Sequence, residues 1–179
     1  MRATILLFVV GAFASCDKDP DHTNEALFYQ SCKAGEAFVI NEIQVNNDDG
    51  TTNYPVNVDA SLNIVVNFTN TASHSWDNVV AKADISRYTD IFGHCSWIGI
   101  PTFGLTDHLD GCNFLSQPLC PIPPGVSLIK DKVDLQRFQA ILNILNVDEP
   151  YRVTLSFKSG DTELACAIIE TKIRKGGSG

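Results

Sequence analysis

The chain is short of the groups that most chemistry needs. Its four histidines, His22, His74, His94 and His108, never fall at His-x-x-x-His spacing, and no two of its six cysteines form a Cys-x-x-Cys pair. A zinc site is therefore not expected. No Gly-x-Ser-x-Gly elbow and no phosphate-binding glycine loop occurs, so two common enzyme signatures are missing. Basic residues are outnumbered, 13 Lys and Arg against 21 Asp and Glu, for a formal net charge of -8. Such a surface repels phosphates, so nucleic acid is not an expected partner. Past the first residues, no apolar stretch approaches the ~20 residues that span a bilayer.

What is present is a globular chain with a leader. A length of 179 residues suits one domain with a real core, and 44% apolar against 19% charged residues places it far from disorder. Met1-Arg2 is a short basic start, Ile5 to Phe13 is nearly all apolar, and Ala12-Phe13-Ala14 supplies small residues at cleavage positions. Residues 1–15 read as a secretory signal peptide cut near 14–16. The mature chain is then expected in an oxidising compartment, secreted or in the lysosomal lumen, with most of Cys16, Cys32, Cys95, Cys112, Cys120 and Cys166 paired. Cleavage after Ala14 keeps Cys16; cleavage after Cys16 leaves an odd thiol. Residues 17–31 read as an N-terminal arm, polar and loose over Asp17 to Asn24, and 176–179 as a flexible tail.

The dominant period from there is two. Val56-Asn57-Val58-Asp59-Ala60-Ser61-Leu62-Asn63-Ile64 alternates strictly, and the phase continues through Val66 and Phe68 with only Val65 out of step. That is strand, half wet and half buried, and so long that a bend or break is expected. Further strands are predicted at Ala37 to Val45, Val79 to Tyr88, Cys95 to Ile100 and Val126 to Leu135. The clearest hairpin joins Tyr151 to Phe157, through Lys158-Ser159-Gly160-Asp161, to Thr162 to Ile173. Phe138, Ile141, Leu142 and Leu145 have helical spacing within an otherwise ambiguous Arg137 to Val147 segment. Short strands with Gly, Pro and Asn turns predict a β-sandwich.

Two tempting motifs fail on inspection. Placing Gly50 at the sixth position of a calcium loop puts Val45 and Val56 where carboxylates are required. Asp90, His94, Cys95 and Ser96 crowd acid, base and nucleophile types, but catalytic triads need spatial rather than sequential proximity. No catalytic residue is expected, no cofactor, and no enzymatic activity. Asn67-Phe68-Thr69 is the one N-glycosylation sequon, with Asn67 on the wet side of its strand.

Four groups of residues in order resemble the ML family of lipid-recognition domains, which includes the ganglioside activator, the Niemann-Pick type C sterol carrier and the group 2 mite allergens. They are Phe28-Tyr29-Gln30-Ser31-Cys32; Trp97-Ile98-Gly99-Ile100-Pro101 with Leu109-Asp110-Gly111-Cys112; Leu119-Cys120-Pro121-Ile122-Pro123-Pro124-Gly125; and the hairpin from Tyr151 to Ile169 that carries Cys166. The resemblance spans the ML-like domain assigned to residues 32–175. It implies an immunoglobulin-like two-sheet β-sandwich forming a lipid-binding cup. It also implies disulfides Cys32–Cys166 and Cys112–Cys120. Cys16 and Cys95 do not map onto it; they pair with each other, or Cys95 stays free.

The implied function is binding and transfer of a sterol, glycolipid, phospholipid or fatty acid, with transient membrane contact and a glycolipid hydrolase or other lipid-handling protein as possible partner. Expected lining residues are the inward positions Val58, Leu62, Ile64 and Phe68, and on the hairpin Val153, Leu155, Phe157, Ala167 and Ile169. Each reads first as ordinary core. Expected rim residues are Trp97, Ile100, Phe103, Phe114, Leu115 and Ile141, with Leu105 beside them, acting as a membrane contact or as a lid over the core. The alternative is a secreted sandwich that recognises protein and has a filled core.

Overall fold

The computed structural model describes residues 18–147 and 149–176. The segment read as a signal peptide, Cys16 and residues 177–179 lie outside them. Ten strands follow in chain order: β1 Phe28–Ser31, β2 Phe38–Asn46, β3 Val56–Asn57, β4 Leu62–Asn70, β5 Val80–Ile91, β6 His94–Ile100, β7 Leu109–Asp110, β8 Gly125–Val133, β9 Pro150–Ser159 and β10 Thr162–Arg174. The larger sheet runs β1-β10-β9-β5-β6, with β3 added beside β10 and β7 beside β5; the smaller runs β2-β4-β8. Pairing is antiparallel except for β3, which lies parallel to β10. The architecture is an immunoglobulin-like two-sheet β-sandwich. The ambiguous Arg137 to Val147 segment holds a 3₁₀ turn, Gln136–Phe138, and one helical turn, α1 Gln139–Leu142.

The long alternating run does break, and it breaks between the sheets. Val56 pairs with Ile173 of β10. Val58 stays attached there through its N–H, which donates to the Arg174 carbonyl at 3.1 Å. Asp59 and Ala60 are exposed, and Leu62 then opens β4 in the other sheet. One alternating pattern thus serves both layers, because each half needs only a partner face of its own.

The sandwich is fastened along one side. Cys32 and Cys166 are joined in a disulfide, and the Cys32 N–H donates to the Cys166 carbonyl at 2.9 Å. The Cys166 N–H donates to Glu36 Oε1 at 2.7 Å, and Tyr29 Oη to the Asn41 carbonyl at 3.0 Å. These bonds tie β1 and β10 to β2. On the opposite side β6 and β8 end their sheets without pairing to each other.

Asp17 to Asn24, expected to be loose, is pinned from residue 19 onward. Asp19 pairs with Lys172, and the buried Thr23 presents its carbonyl to the Tyr54 hydroxyl. Beneath it lies Glu170, with no exposed surface, bound by Arg152 at 2.8 Å (Nε) and 2.6 Å (Nη2). Burial, reinforced by the Asp21 carboxyl, pushes Glu170 above the usual carboxylate range, and Arg152 opposes this. A buried charge needs a cover and a partner; the arm lies over it and Arg152 of β9 is the partner.

Candidate functional site

The inner faces of the two sheets do not pack evenly. Most of the buried apolar residues gather in two separate clusters. One gathers Phe38, Phe68, Val79, Ile122, Leu164 and Ala165 with the Cys112 sulfur; the other gathers Val56, Val58, Leu142, Leu145, Tyr151 and Ile173. The first sits at the β9–β10 turn end, the second at the end where β9 begins. Between them lie Ile43, Ile64, Val153, Leu155 and Ile169, which belong to neither cluster and are only half-buried.

The reason is in the cross-strand rows. Leu155 is flanked by Ala167 on β10 and Ala83 on β5; the next row sets Phe157 between Ala165 and Ala81. Inward side chains on adjacent strands stand about 5 Å apart and fill a sheet face only when both are large. Four buried alanines thus flank two large residues on that face. Opposite, Val66 pairs with Ile43 and Ile129, and Ile64 with Val45 and Asp131. Half-buried aliphatics of both sheets therefore face each other in mid-sandwich, between the two packed clusters.

The β6–β8 side is bridged by the loop that the Cys112–Cys120 disulfide closes. Gly111 starts it, seated so near Val79 that a Cβ would come within 2.9 Å of the Val79 carbonyl. From this loop Ser116 Oγ and the Gln117 N–H, the latter at 3.3 Å, donate to the Asp131 carboxylate at the β8 edge. Burial alone would raise the Asp131 pKa; those bonds and the Lys132 N–H outweigh it and hold the carboxyl below its ordinary value. The Arg137 guanidinium donates to the Phe114 carbonyl at 3.1 Å and lies 4.3 Å from the Phe114 ring centroid and 5.4 Å from that of Phe138. The loop is therefore tethered to β8 and to the 3₁₀ turn.

The expected residues divide on this geometry. Ile64, Val153, Leu155 and Ile169 line the middle, and Ala167 lies buried between the last two rows. Leu62 and Phe157 are half-buried against the end clusters, while Val58 and Phe68 are core members. Of the rim set, Phe114 and Leu115 are half-buried in the bridging loop, and Phe103 (68% exposed) and Leu105 (42%) stand in water. Ile100 faces inward beside Ile85. Two placements are corrected. Trp97 alternates out of phase with Ile100 and lies on the outer face, 5.0 Å from the Tyr88 ring and 4.2 Å from the Arg152 guanidinium carbon. Ile141 is 1% exposed, inside the fold rather than at its rim, because α1 turns it inward.

Ala81, Ala83, Ile85, Ile43 and Ile129 also face inward and were not among the expected lining residues. The alternation Ala81-x-Ala83-x-Ile85 was the available signal, but small residues on a strand are mute about what stands opposite. Cys95 is held in a disulfide, so it offers no thiol beside Asp90 and His94. Among the described residues no cluster of His, Cys, Asp and Glu is arranged to hold a metal ion.

No family model matches the chain, and no curated protein does. Among solved structures it is similar to a Niemann-Pick type C2 protein from Japanese carpenter ant. The identity is 15%, the TM-score 0.47, and the match covers 82% of this chain and 99% of that one.

Proposed function

We propose that the protein carries a lipid in a cleft between its sheets. The observation that carries this is the row of half-buried aliphatics, Ile64, Val153, Leu155 and Ile169, between two packed clusters. A domain of this size normally fills that space with its own side chains. An alkyl chain or sterol placed there would gain about 0.8 kcal/mol per buried CH₂, with no reacting group required. Entry runs along the β6–β8 side, where no backbone pairing resists separation of the sheets and the tethered loop acts as a lid. The disulfide side then acts as the hinge. Lipid class, transfer between membranes and presentation to a glycolipid hydrolase belong to the same reading. So does residence in a secreted or lysosomal oxidising lumen, which the disulfides favour.

A second reading, a sandwich that recognises protein, is favoured by Phe103 and Leu105 standing exposed on one loop. One experiment separates the two. Protein purified from a secretory host is extracted and its lipids weighed by mass spectrometry, and the delipidated protein is offered a fluorescent fatty acid, a sterol and a glycolipid. Stoichiometric co-purifying lipid or saturable uptake is expected. An empty extract together with no uptake of any probe overturns the carrier reading.

A further inference from the structure

The outer face of the smaller sheet, otherwise mostly polar, exposes three aliphatic side chains near one end. Across β2-β4-β8 one outward row sets Val39, Thr69 and Val126 side by side; the next sets Asn67 between Glu42 and Leu128. Val126 is 72% exposed, Leu128 56% and Val39 43%. Val65 follows on the same face, half-buried. This strip borders β8, an edge strand whose unpaired backbone could template pairing with another chain. Lys130 and Lys132 guard only its far half. An unprotected strip of this kind is an association hazard.

Asn67 stands in the middle of it, and Asn67-Phe68-Thr69 is the chain's one sequon. Its side chain is oriented: Asn41 Nδ2 donates to Asn67 Oδ1 at 3.0 Å and to Thr69 Oγ1 at 3.0 Å. The amide is engaged through its oxygen, so Nδ2, the atom that bears a glycan, is left out of that bond. Val126, Leu128 and Val39 surround it within neighbouring rows, well inside the reach of the first two sugars.

We infer that an N-linked glycan on Asn67 covers the apolar strip formed by Val39, Val126 and Leu128. The donor is a lipid-linked oligosaccharide diphosphate. Asn67 Nδ2 attacks the anomeric carbon, the N–C bond forms, the C–O bond to the diphosphate breaks, and the Nδ2 proton is lost to base. Transfer to the still unfolded chain explains how a central-strand asparagine is reached. The disulfides Cys32–Cys166 and Cys112–Cys120 belong to the same oxidising route. The apolar faces of the sugars then lie on the valines and the leucine, and the glycan's bulk blocks the β8 edge.

The test uses the full chain secreted from a glycosylating eukaryotic host. Peptide mapping after enzymatic release, which converts Asn67 to Asp, is expected to show one occupied site. The folded protein is then trimmed to a single sugar. Trimming is expected to raise binding of an apolar-surface dye and self-association several-fold. In the Val126→Thr/Leu128→Thr protein, trimming is expected to change neither. Because trimming starts from folded protein, failure of Asn67→Gln to fold would not obscure the result. An unmodified Asn67 overturns the inference. So does trimming that leaves dye binding and association unchanged, or that raises them equally in the double variant.

Discussion

Shortening Leu155 to alanine should cost much less stability than shortening Leu164. Leu164 has no exposed surface and sits in the cluster around Phe38 and Phe68. Its truncation removes about three carbons and leaves a void, which places Leu164→Ala near 3 kcal/mol, within the ~2–5 range for packed cores. Leu155 is half-buried and flanked by Ala83 and Ala167. Complete burial of the lost atoms would be worth about 2.4 kcal/mol at ~0.8 per carbon; partial exposure roughly halves this, and no new cavity term is added. Leu155→Ala should therefore cost about 1 kcal/mol. Urea unfolding of delipidated protein, with equal slopes for both variants, measures the difference. Lipid uptake by Leu155→Ala should fall several-fold while Leu164→Ala, at a temperature where it is folded, keeps it. Equal losses of about 3 kcal/mol in both variants would mean that mid-sandwich is packed solid, and the reasoning for the cleft would collapse.

Replacing Cys32 and Cys166 together by serine opens a loop spanning 134 residues and should cost roughly 4–5 kcal/mol by the chain-entropy relation; a denaturation midpoint unchanged from the parent would contradict this. Glu170 titrates above its ordinary value of 4.5 in the fold, so the unfolded chain loses this proton first. Stability falls as pH rises from 4.5 through the folded value and then levels. Glu170→Gln should flatten that part of the pH profile, leaving the share contributed by Glu36, which burial also raises. An undiminished slope between pH 4.5 and 7 would refute it. Phe92, 99% exposed beside Ile91 at the β5–β6 turn, is the side chain best placed to touch a lipid surface. Phe92→Asp should slow lipid transfer between zwitterionic vesicles several-fold without altering affinity in solution, and an unaltered transfer rate would remove the turn from the mechanism.

The strands were legible in the sequence because a period of two survives without knowledge of partners. Tyr151 to Phe157 and Thr162 to Ile173 announced their own hairpin through Ser159-Gly160-Asp161, and β9 and β10 lie within two residues of those limits. The inward phase of Ile64, Val153, Leu155 and Ile169 was legible for the same reason. Strand Phe28–Ser31 was hidden inside the arm, since four residues are too few for a period to declare itself.

Alternation alone also sets which side chains share a face, and the cysteine content points to an oxidising route. Tertiary pairing decided the rest. It divided the Val56 to Phe68 run between two sheets, turned Trp97 outward, seated the arm over Glu170, and set Ala83 and Ala167 on either side of Leu155. Each of these depends on register between strands distant in the chain. A residue's own neighbours in sequence determine its face, but only its neighbours in space determine whether that face is filled.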